Sequence, residues 1–345
     1  MRLQFQFLET VNGLDNSNSQ IITRIRAQLD KATTAPGMVM ISLSAVALGA
    51  AFGGYLPLIS LWMETFNISF QRIGIVCGAS AVGVVSSAYF APKLAARYGY
   101  ILTINLGLVV AAIMTVAFRF TDNYGLWIAL RFVSGLGLGL HWVLTEAWLA
   151  NIVTEKYRTR VMAIYATAIS IGFAIGPMVI WLFGALSIIP FIIMGALLIL
   201  AALPILRLKG HEPKDSQTRS ASPLILIKKA PTVASACIVV GCVDLALISL
   251  LPAMITRTPE AAPILALIIV PAMAIGATIL QYPIAIIADK HGLRKVGVMT
   301  VCAGLIFASL IPFFLGSVLL TLLFGFLAAG LVYGLYSIGL AMLSR

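Results

Sequence analysis

One carboxylate lies at the centre of a long apolar stretch of this chain. Asp244 is flanked by the largely apolar runs of residues 232–243 and 245–255. An ionised carboxylate at the centre of a bilayer costs at least about 2.5–3.5 kcal/mol on insertion scales. We therefore expect Asp244 to be protonated, to be paired, or to face water, and the plain alternative is a structural Asp satisfied by a neighbouring helix.

A second set of polar residues follows helical spacing within residues 125–150. The spacings of four, four, three and four residues put the whole set on one helical face, and its members are Arg131, Gly135, Gly139, Trp142 and Glu146. The glycines would let another helix or a ligand approach the backbone. Arg131 is a candidate to meet an anionic substrate or a carboxylate, or it packs structurally. Glu146 is a functional candidate, or it reaches towards Arg158 and Arg160 at the inner membrane edge.

Other polar side chains also fall at membrane depth. His141 points off the face just described, so we expect a packed neutral imidazole there. Because polar groups facing lipid are disfavoured, some of the remaining ones should line a cavity. Otherwise each makes an interhelical hydrogen bond worth about 0.6 kcal/mol. These candidates are Tyr55, Asn105, Gln281, Tyr282, Tyr333 and Tyr336.

The elements that position these residues are predicted to be transmembrane helices. The chain is 61% hydrophobic, 10% charged and has a mean hydropathy of +1.03, whereas soluble domains carry roughly 25% charged residues. Ten apolar windows have the roughly 20-residue length that crosses a bilayer. They fall at 38–63, 71–92, 101–119, 125–150, 160–182, 186–206, 232–255, 262–287, 296–315 and 318–342. We predict an all-α polytopic membrane protein.

The net charge of +11 reports membrane topology rather than nucleic-acid binding. Nineteen of the 23 Lys and Arg residues fall on the side of residues 1–37, Arg72, Arg119 and Arg257 fall on the other side, and Arg131 lies in a helix. The positive-inside rule therefore places the amino terminus in the cytoplasm.

The sequence contains none of the common catalytic or metal-binding motifs of enzymes. The cysteines Cys77, Cys237, Cys242 and Cys302 lie in apolar segments without C-x-x-C spacing, so neither a disulfide framework nor a metal site is expected. Walker, H-E-x-x-H and G-x-S-x-G motifs do not occur. We expect no enzyme activity, no metal and no cofactor.

Four regions are expected along the chain. Residues 1–37 form a cytoplasmic tail, 38–206 a six-helix half, 207–230 a polar cytoplasmic linker, and 231–345 a half with four helices. The tail could hold a helix on the inner leaflet, with Ile21, Ile22, Ile25 and Leu29 on one face. The alternatives are a disordered tail, or translation that starts at Met38.

A short polar joint occurs twice. Residues 94–100 (Leu-Ala-Ala-Arg-Tyr-Gly-Tyr) are echoed by residues 287–293 (Ile-Ala-Asp-Lys-His-Gly-Leu), with every position offset by 193. Two parallel copies in a hydrophobic chain are typical of secondary transporters. The same offset predicts two further helices after 345, so we expect a truncated or fragmentary twelve-helix protein.

These motifs resemble those of the major facilitator superfamily. Its joint signature G-x-L-A-D-R-x-G-R-K is similar to residues 287–295, whereas the first copy has Ala96 in place of the Asp and Tyr100 in place of the Arg. Arg131-x3-Gly135-x-Gly137-x-Gly139 and Gly172-x3-Gly176-Pro177 are similar to the family's motifs in helices four and five. A narrower resemblance is to the YcaD-type branch of bacterial transporters, on Thr145-Glu146-Ala147-Trp148-Leu149, Arg158-x-Arg160, Gln281-Tyr282-Pro283 and Gly334-Leu335-Tyr336.

The resemblance implies a major facilitator fold with six plus four helices and a function in transport. The expected activity is alternating-access transport of a small organic solute across the bacterial inner membrane, coupled to protons through Asp244 or Glu146. The expected partners are the solute, protons and the lipid bilayer, with a monomeric protein and no nucleic acid. The other hypothesis is a receptor-like or remnant protein that does not transport, because its second half is incomplete.

The resemblance also implies a cytoplasmic latch. In the family, the Asp of the joint is held by basic residues and by the amino terminus of a helix from the other half. The corresponding residues here are Asp289, Lys290, Arg294, Arg158 and Arg160, with Arg97 in the first copy. The alternative is a charged loop in solvent.

Overall fold

The computed structural model describes residues 36–152, 155–213 and 231–343. This part of the chain contains ten α-helices long and apolar enough to cross a membrane, which confirms the all-α polytopic prediction. They are α1 (Pro36–Glu64), α2 (Phe70–Tyr98), α3 (Tyr100–Ala117), α4 (Tyr124–Ile152), α5 (Glu155–Phe183), α6 (Ile189–Leu206), α7 (Pro231–Arg257), α8 (Leu265–His291), α9 (Leu293–Leu310) and α10 (Val318–Leu343).

Two segments with sequence predictions lie outside the described residues. They are the tail, where a helix on the inner leaflet is one of the expectations, and most of the predicted linker, residues 214–230. Below, the outer side of the molecule means the side where α1 ends at Glu64, opposite the predicted cytoplasmic amino terminus.

The duplicated joint is a duplicated backbone turn. Gly99 separates α2 from α3 with φ 84°, and Gly292 separates α8 from α9 with φ 98°. The Gly99 amide donates to Ala95 O at 2.8 Å and the Gly292 amide to Ala288 O at 2.9 Å. Side chains rarely tolerate this positive φ, so glycine is required at both positions. The repeat seen in the sequence is therefore a repeat of geometry.

Equivalent helix pairs pack in the same way in the two parts of the chain. α2 packs on α4 and α3 on α4, just as α8 packs on α10 and α9 on α10. The backbones meet where a glycine removes the side chain: a Cβ on Gly83 would collide with Phe132 O, and one on Gly276 with Phe326 O. Small residues allow this close approach between membrane helices.

The contacts between the first six and the last four helices are concentrated towards the outer side. α1 packs on α7 and α5 packs on α8. We call the buried apolar residues at these contacts the bridging cluster, and they include Leu56, Phe173, Ile248, Leu251, Ile255 and Leu265. In the described part of the chain, the buried clusters at the inner ends stay within α1–α6 or within α8–α10.

The close α2–α4 contact can be tested with two glycines of the same helix. Gly83→Ala should lower the free energy of unfolding by about 1–3 kcal/mol, because the added methyl group forces α2 and α4 apart. Gly74→Ala is the matched control, since a Cβ there meets nothing within 4 Å. It should be neutral or slightly stabilising. Thermal unfolding of the purified protein in detergent measures both, and equal effects would contradict the assigned contact.

Candidate functional site

The carboxylate of α7 is paired with a phenol. Asp244 lies at the midpoint of α7 and is partly buried. Its Oδ2 accepts a hydrogen bond of 2.7 Å from the Tyr333 hydroxyl of α10. The sequence singled out both residues separately, and the tertiary structure brings them together. Of the three solutions expected for a carboxyl at this depth, the structure therefore contains a hydrogen-bonded pair.

A second carboxylate is held within α4. The indole Nε1 of Trp142 donates to Glu146 Oε1 at 2.8 Å, one helical turn away, and both residues are partly buried. The Trp142 ring packs edge-on against Phe52 of α1 with ring centroids 6.2 Å apart. Phe52 in turn packs against Phe173 of α5, with centroids 5.6 Å apart. An aromatic wall from three helices therefore adjoins Glu146.

Arg131 is a fully buried cation whose described neighbour is an aromatic ring. It is 0% exposed, and its Cζ lies 4.8 Å from the centroid of the Tyr55 ring of α1. No described residue accepts a hydrogen bond from any of the three side-chain nitrogens of Arg131. The Tyr55 hydroxyl lies close to Arg131, but it makes no hydrogen bond of normal geometry with a described residue. Fifteen residues along α4 separate Arg131 from Glu146, about 22 Å of helical rise, so the two do not form an ion pair.

His141 is packed between three helices, as the sequence predicts. Its Nε2 lies 2.8 Å from Ser44 Oγ of α1, and the Ser44 hydroxyl lies 2.7 Å from Ala201 O of α6. A hydroxyl has one hydrogen, which Ser44 donates to the carbonyl, so His141 Nε2 is the donor in the other bond. His141 therefore helps to hold α1, α4 and α6 together.

The other polar candidates occupy different surroundings. Asn105 is buried and its Nδ2 donates to Ile101 O of its own helix at 2.8 Å. Gln281 is partly buried and has an interaction partner. The side chains of Tyr282 and Tyr336 lie outside the described residues. Of the polar residues expected at depth, the structure therefore brings together Tyr55 with Arg131, Tyr333 with Asp244, and Trp142 with Glu146.

The cytoplasmic latch stays a prediction. Lys290, Arg294 and Arg97 are exposed at the inner ends of their helices, and Arg97 Cζ lies 5.2 Å from the Tyr98 ring. The side chains of the remaining latch residues lie outside the described residues, and these residues are Asp289, Arg158 and Arg160.

Sequence reasoning missed a carboxylate at the first joint. Glu212, which follows α6, accepts a hydrogen bond of 2.9 Å from the backbone amide of Tyr100 through Oε2. It thereby caps the amino terminus of α3, where a negative charge is favoured by the helix dipole. No sequence pattern links the two residues, because 112 positions separate Glu212 from Tyr100.

Sequence reasoning also missed a charged contact on the outer side, which we call the outer closure. Arg257, the last residue of α7, donates through Nε to Glu64 Oε1 at the end of α1. Its Nη2 donates to Ile68 O at 2.6 Å, and its Cζ lies 4.2 Å from the Phe70 ring at the start of α2. Glu64 and Arg257 are 193 residues apart. The repeat offset could therefore have found them, as opposite charges at equivalent helix ends.

Comparison with known proteins gives one family. The model of the Major Facilitator Superfamily matches residues 41–344. YfkF of Bacillus subtilis (strain 168), an uncharacterized MFS-type transporter, is 26% identical over 77% of this chain and 68% of its own length. YcaD of Salmonella enteritidis PT4, also an uncharacterized MFS-type transporter, is 23% identical over 74% of this chain and 65% of its own length. The chain thus spans about two thirds of the length of these relatives.

Solved structures share the fold. A point mutant of the nucleoside transporter NupG aligns with a TM-score of 0.74 at 17% identity, over 89% of this chain and 82% of NupG. A bacterial homolog of the human lysosomal transporter Spinster, in an inward-facing and occupied conformation, has a TM-score of 0.67 at 20% identity, over 87% and 72% of the two chains. The xylose transporter XylE from E. coli, partially occluded and inward open, has a TM-score of 0.61 at 18% identity, over 89% and 87%.

The family match covers nearly all of the described helices, and it agrees with the motifs at the two joints and in α4 and α5. It confirms the expectation of a protein of the transporter class rather than an enzyme. The chain belongs to the major facilitator superfamily and is a multi-pass protein of the bacterial inner membrane.

Proposed function

We propose that this protein is an alternating-access secondary transporter that moves a small organic solute, coupled to protons, and works as a monomer. The observation that carries the proposal is the one-sided contact between the first six and the last four helices. The outer closure and the bridging cluster join them towards the outside, whereas the described clusters at the inner ends do not. A carrier that is shut on one face and open on the other has this arrangement.

The outer closure has the strength that a reversible gate needs. The side chains of Arg257 and Glu64 are 33% and 17% exposed. Ion pairs of this kind contribute about 0–1 kcal/mol. The pair therefore favours the state that is closed on the outer side, while thermal motion can still open it. In our proposal, residues 38–206 and 231–345 rock as two halves about the linker at 207–230. The latch around Asp289 would close the inner face when the outer face opens.

Two carboxyl groups are the proposed proton carriers. Among the described residues, Glu64 and Arg257 form the single ion pair. Neither Asp244 nor Glu146 therefore has a cationic partner in this part of the chain. Each instead accepts a hydrogen bond from an aromatic side chain, Tyr333 or Trp142. A carboxyl without a cation beside it can bind and release a proton without breaking an ion pair. The hydrogen bond of Asp244 with Tyr333 also links α7 to α10, so protonation of Asp244 would change a contact between two helices of the second half.

Proton coupling can be tested without knowing the solute. Proteoliposomes that contain a pH-sensitive dye are exposed to a panel of sugars, nucleosides, amino acids and carboxylates, and solute-driven proton flux is recorded. Asp244→Asn should reduce this flux to the level of protein-free liposomes, because the amide cannot take up a proton. Exchange of the same solute across the membrane without a proton gradient should persist.

The control is Asp122→Asn, which changes an exposed carboxylate in the loop before α4 and should leave the flux intact. Glu146→Gln is measured in parallel. If both Asp244→Asn and Glu146→Gln retain the wild-type flux, the assignment of proton coupling is wrong. Binding of a solute with no movement across the membrane would favour the receptor-like alternative.

Opening of the outer face can be measured at a native cysteine. Cys77 of α2 is 1% exposed and lies in the buried cluster of the outer half. Arg257→Gln removes the outer closure and should increase the rate at which a membrane-impermeant maleimide labels Cys77 from outside, by about two- to tenfold. Cys237, Cys242 and Cys302 are replaced by serine so that Cys77 is the reporter.

The matched control is Arg72→Gln. Arg72 is also an outer arginine and lies over an aromatic ring, 5.5 Å from the centroid of Tyr124, but both residues belong to the first half. This variant should label at the wild-type rate. Equal labelling of Cys77 in the wild type and in Arg257→Gln would show that the outer closure does not hold the outer face shut.

A further inference from the structure

We infer that Arg131 and Tyr55 form the recognition site for a carboxylate group, so that the transported solute is a monocarboxylate with an apolar body. The inference rests on the proposed transport function and names its substrate class. The starting observation is a guanidinium that is 0% exposed, lies 4.8 Å from the Tyr55 ring, and finds no hydrogen-bond acceptor among the described residues. Burial of a charge without a partner is costly, so a structural role alone does not explain Arg131.

The surroundings of Arg131 favour an apolar solute body. Tyr55 belongs to what we call the outer cluster, together with Leu58, Ile59, Ile73, Val76, Cys77, Phe118, Trp127 and Phe191. Such walls accept aliphatic and aromatic groups. Polar groups of the outer half that make no hydrogen bond with a described residue include the hydroxyls of Tyr55, Ser134 and Ser249 and the indole Nε1 of Trp62. A solute that carries one acidic end and an apolar remainder matches both features.

The charge balance favours a carboxylate over a doubly charged phosphate. Three other outer charges of α1, α2 and the α3–α4 connection already have contacts: Glu64 with Arg257, Arg72 over Tyr124, and Arg119 with its Cζ 4.0 Å from the Trp62 ring. The fourth, Asp122, is exposed. Arg131 therefore offers one positive charge, which one carboxylate neutralises. The planar fork of a guanidinium also matches the two oxygens of a carboxylate.

The outer closure controls access to this site. Leu250 of α7 and Leu267 of α8 pack against the outer cluster from the second half. Ser249 of α7 lies close to Cys77 of α2, a member of the outer cluster. Release of Arg257 from Glu64 would let these residues withdraw and expose Arg131 to the outside. Carboxylate binding is therefore expected to strengthen when the outer closure is weakened.

The test is a binding measurement on the purified full chain, with two carboxylates and their neutral amides as probes. Millimolar benzoate and hexanoate should raise the thermal unfolding temperature of the wild type, whereas benzamide and hexanamide should not. Arg131→Met should abolish the benzoate effect while the unliganded protein stays at least as stable, because the substitution removes an unpaired buried charge. Tyr55→Phe keeps the ring and should weaken benzoate binding about tenfold or more.

Two further variants sharpen the result. Arg72→Met is the matched control and should bind benzoate like the wild type. Arg257→Gln should bind benzoate more tightly, since it opens the outer face. The inference is overturned if no carboxylate stabilises the wild type, if Arg131→Met keeps the benzoate effect, or if chloride stabilises as well as benzoate does.

The outcome separates this inference from the proposed function. Arg131-dependent benzoate binding in a protein that moves no solute in proteoliposomes would overturn the transport proposal only. Solute-driven proton flux without Arg131-dependent carboxylate binding would overturn the carboxylate assignment only.

Discussion

The low polarity of the bilayer is the constraint on which the rest of this structure depends. Water is absent from the hydrocarbon core, so a polar group there is costly unless the protein itself satisfies it. Serine and threonine hydroxyls respond by bonding to the preceding turn of their own helices, as Thr103 does with Gly99 O at 2.8 Å and Thr115 with Ala111 O at 2.8 Å. Ionisable groups cannot be satisfied so cheaply, and each therefore has a distinctive neighbour.

These neighbours are aromatic for the three charged side chains at membrane depth, whereas the imidazole of His141 pairs with Ser44. Asp244 accepts from a phenol, Glu146 accepts from an indole, and Arg131 lies over a phenol ring. Aromatic side chains have an apolar body and a polar or electron-rich surface, so they can contact a charged group favourably while they themselves remain neutral. A charge held in this way is less firmly bound than one in a buried ion pair, and it stays free to exchange a proton or meet a ligand.

The two parts of the chain share a backbone arrangement but carry different polar side chains. Gly99 and Gly292 make the same turn, and Gly83 and Gly276 make the same close contact. The first and fourth helices of the first part, α1 and α4, hold Tyr55 and Arg131, whereas their counterparts α7 and α10 hold Asp244 and Tyr333. One part thus carries a cation beside a phenol and the other an anion beside a phenol. Glu64 and Arg257 reverse this division of charge at the outer ends, where the pair joins the two parts.

The sequence by itself determined the membrane architecture. Apolar length, the position of basic residues and the offset of 193 were enough for ten helices and their order, because each is a property of a local stretch or of a comparison between stretches. The family came from the resemblance of local motifs at the joints and in α4 and α5. Hydropathy also located Asp244, Glu146 and Arg131, since a charge in an apolar run is visible without any fold. It could not assign Asp244 to Tyr333, Arg131 to Tyr55, or Glu212 to the amino terminus of α3. Those pairs join residues of different helices or segments, and only the rotation and depth at which the elements pack decide which side chains meet.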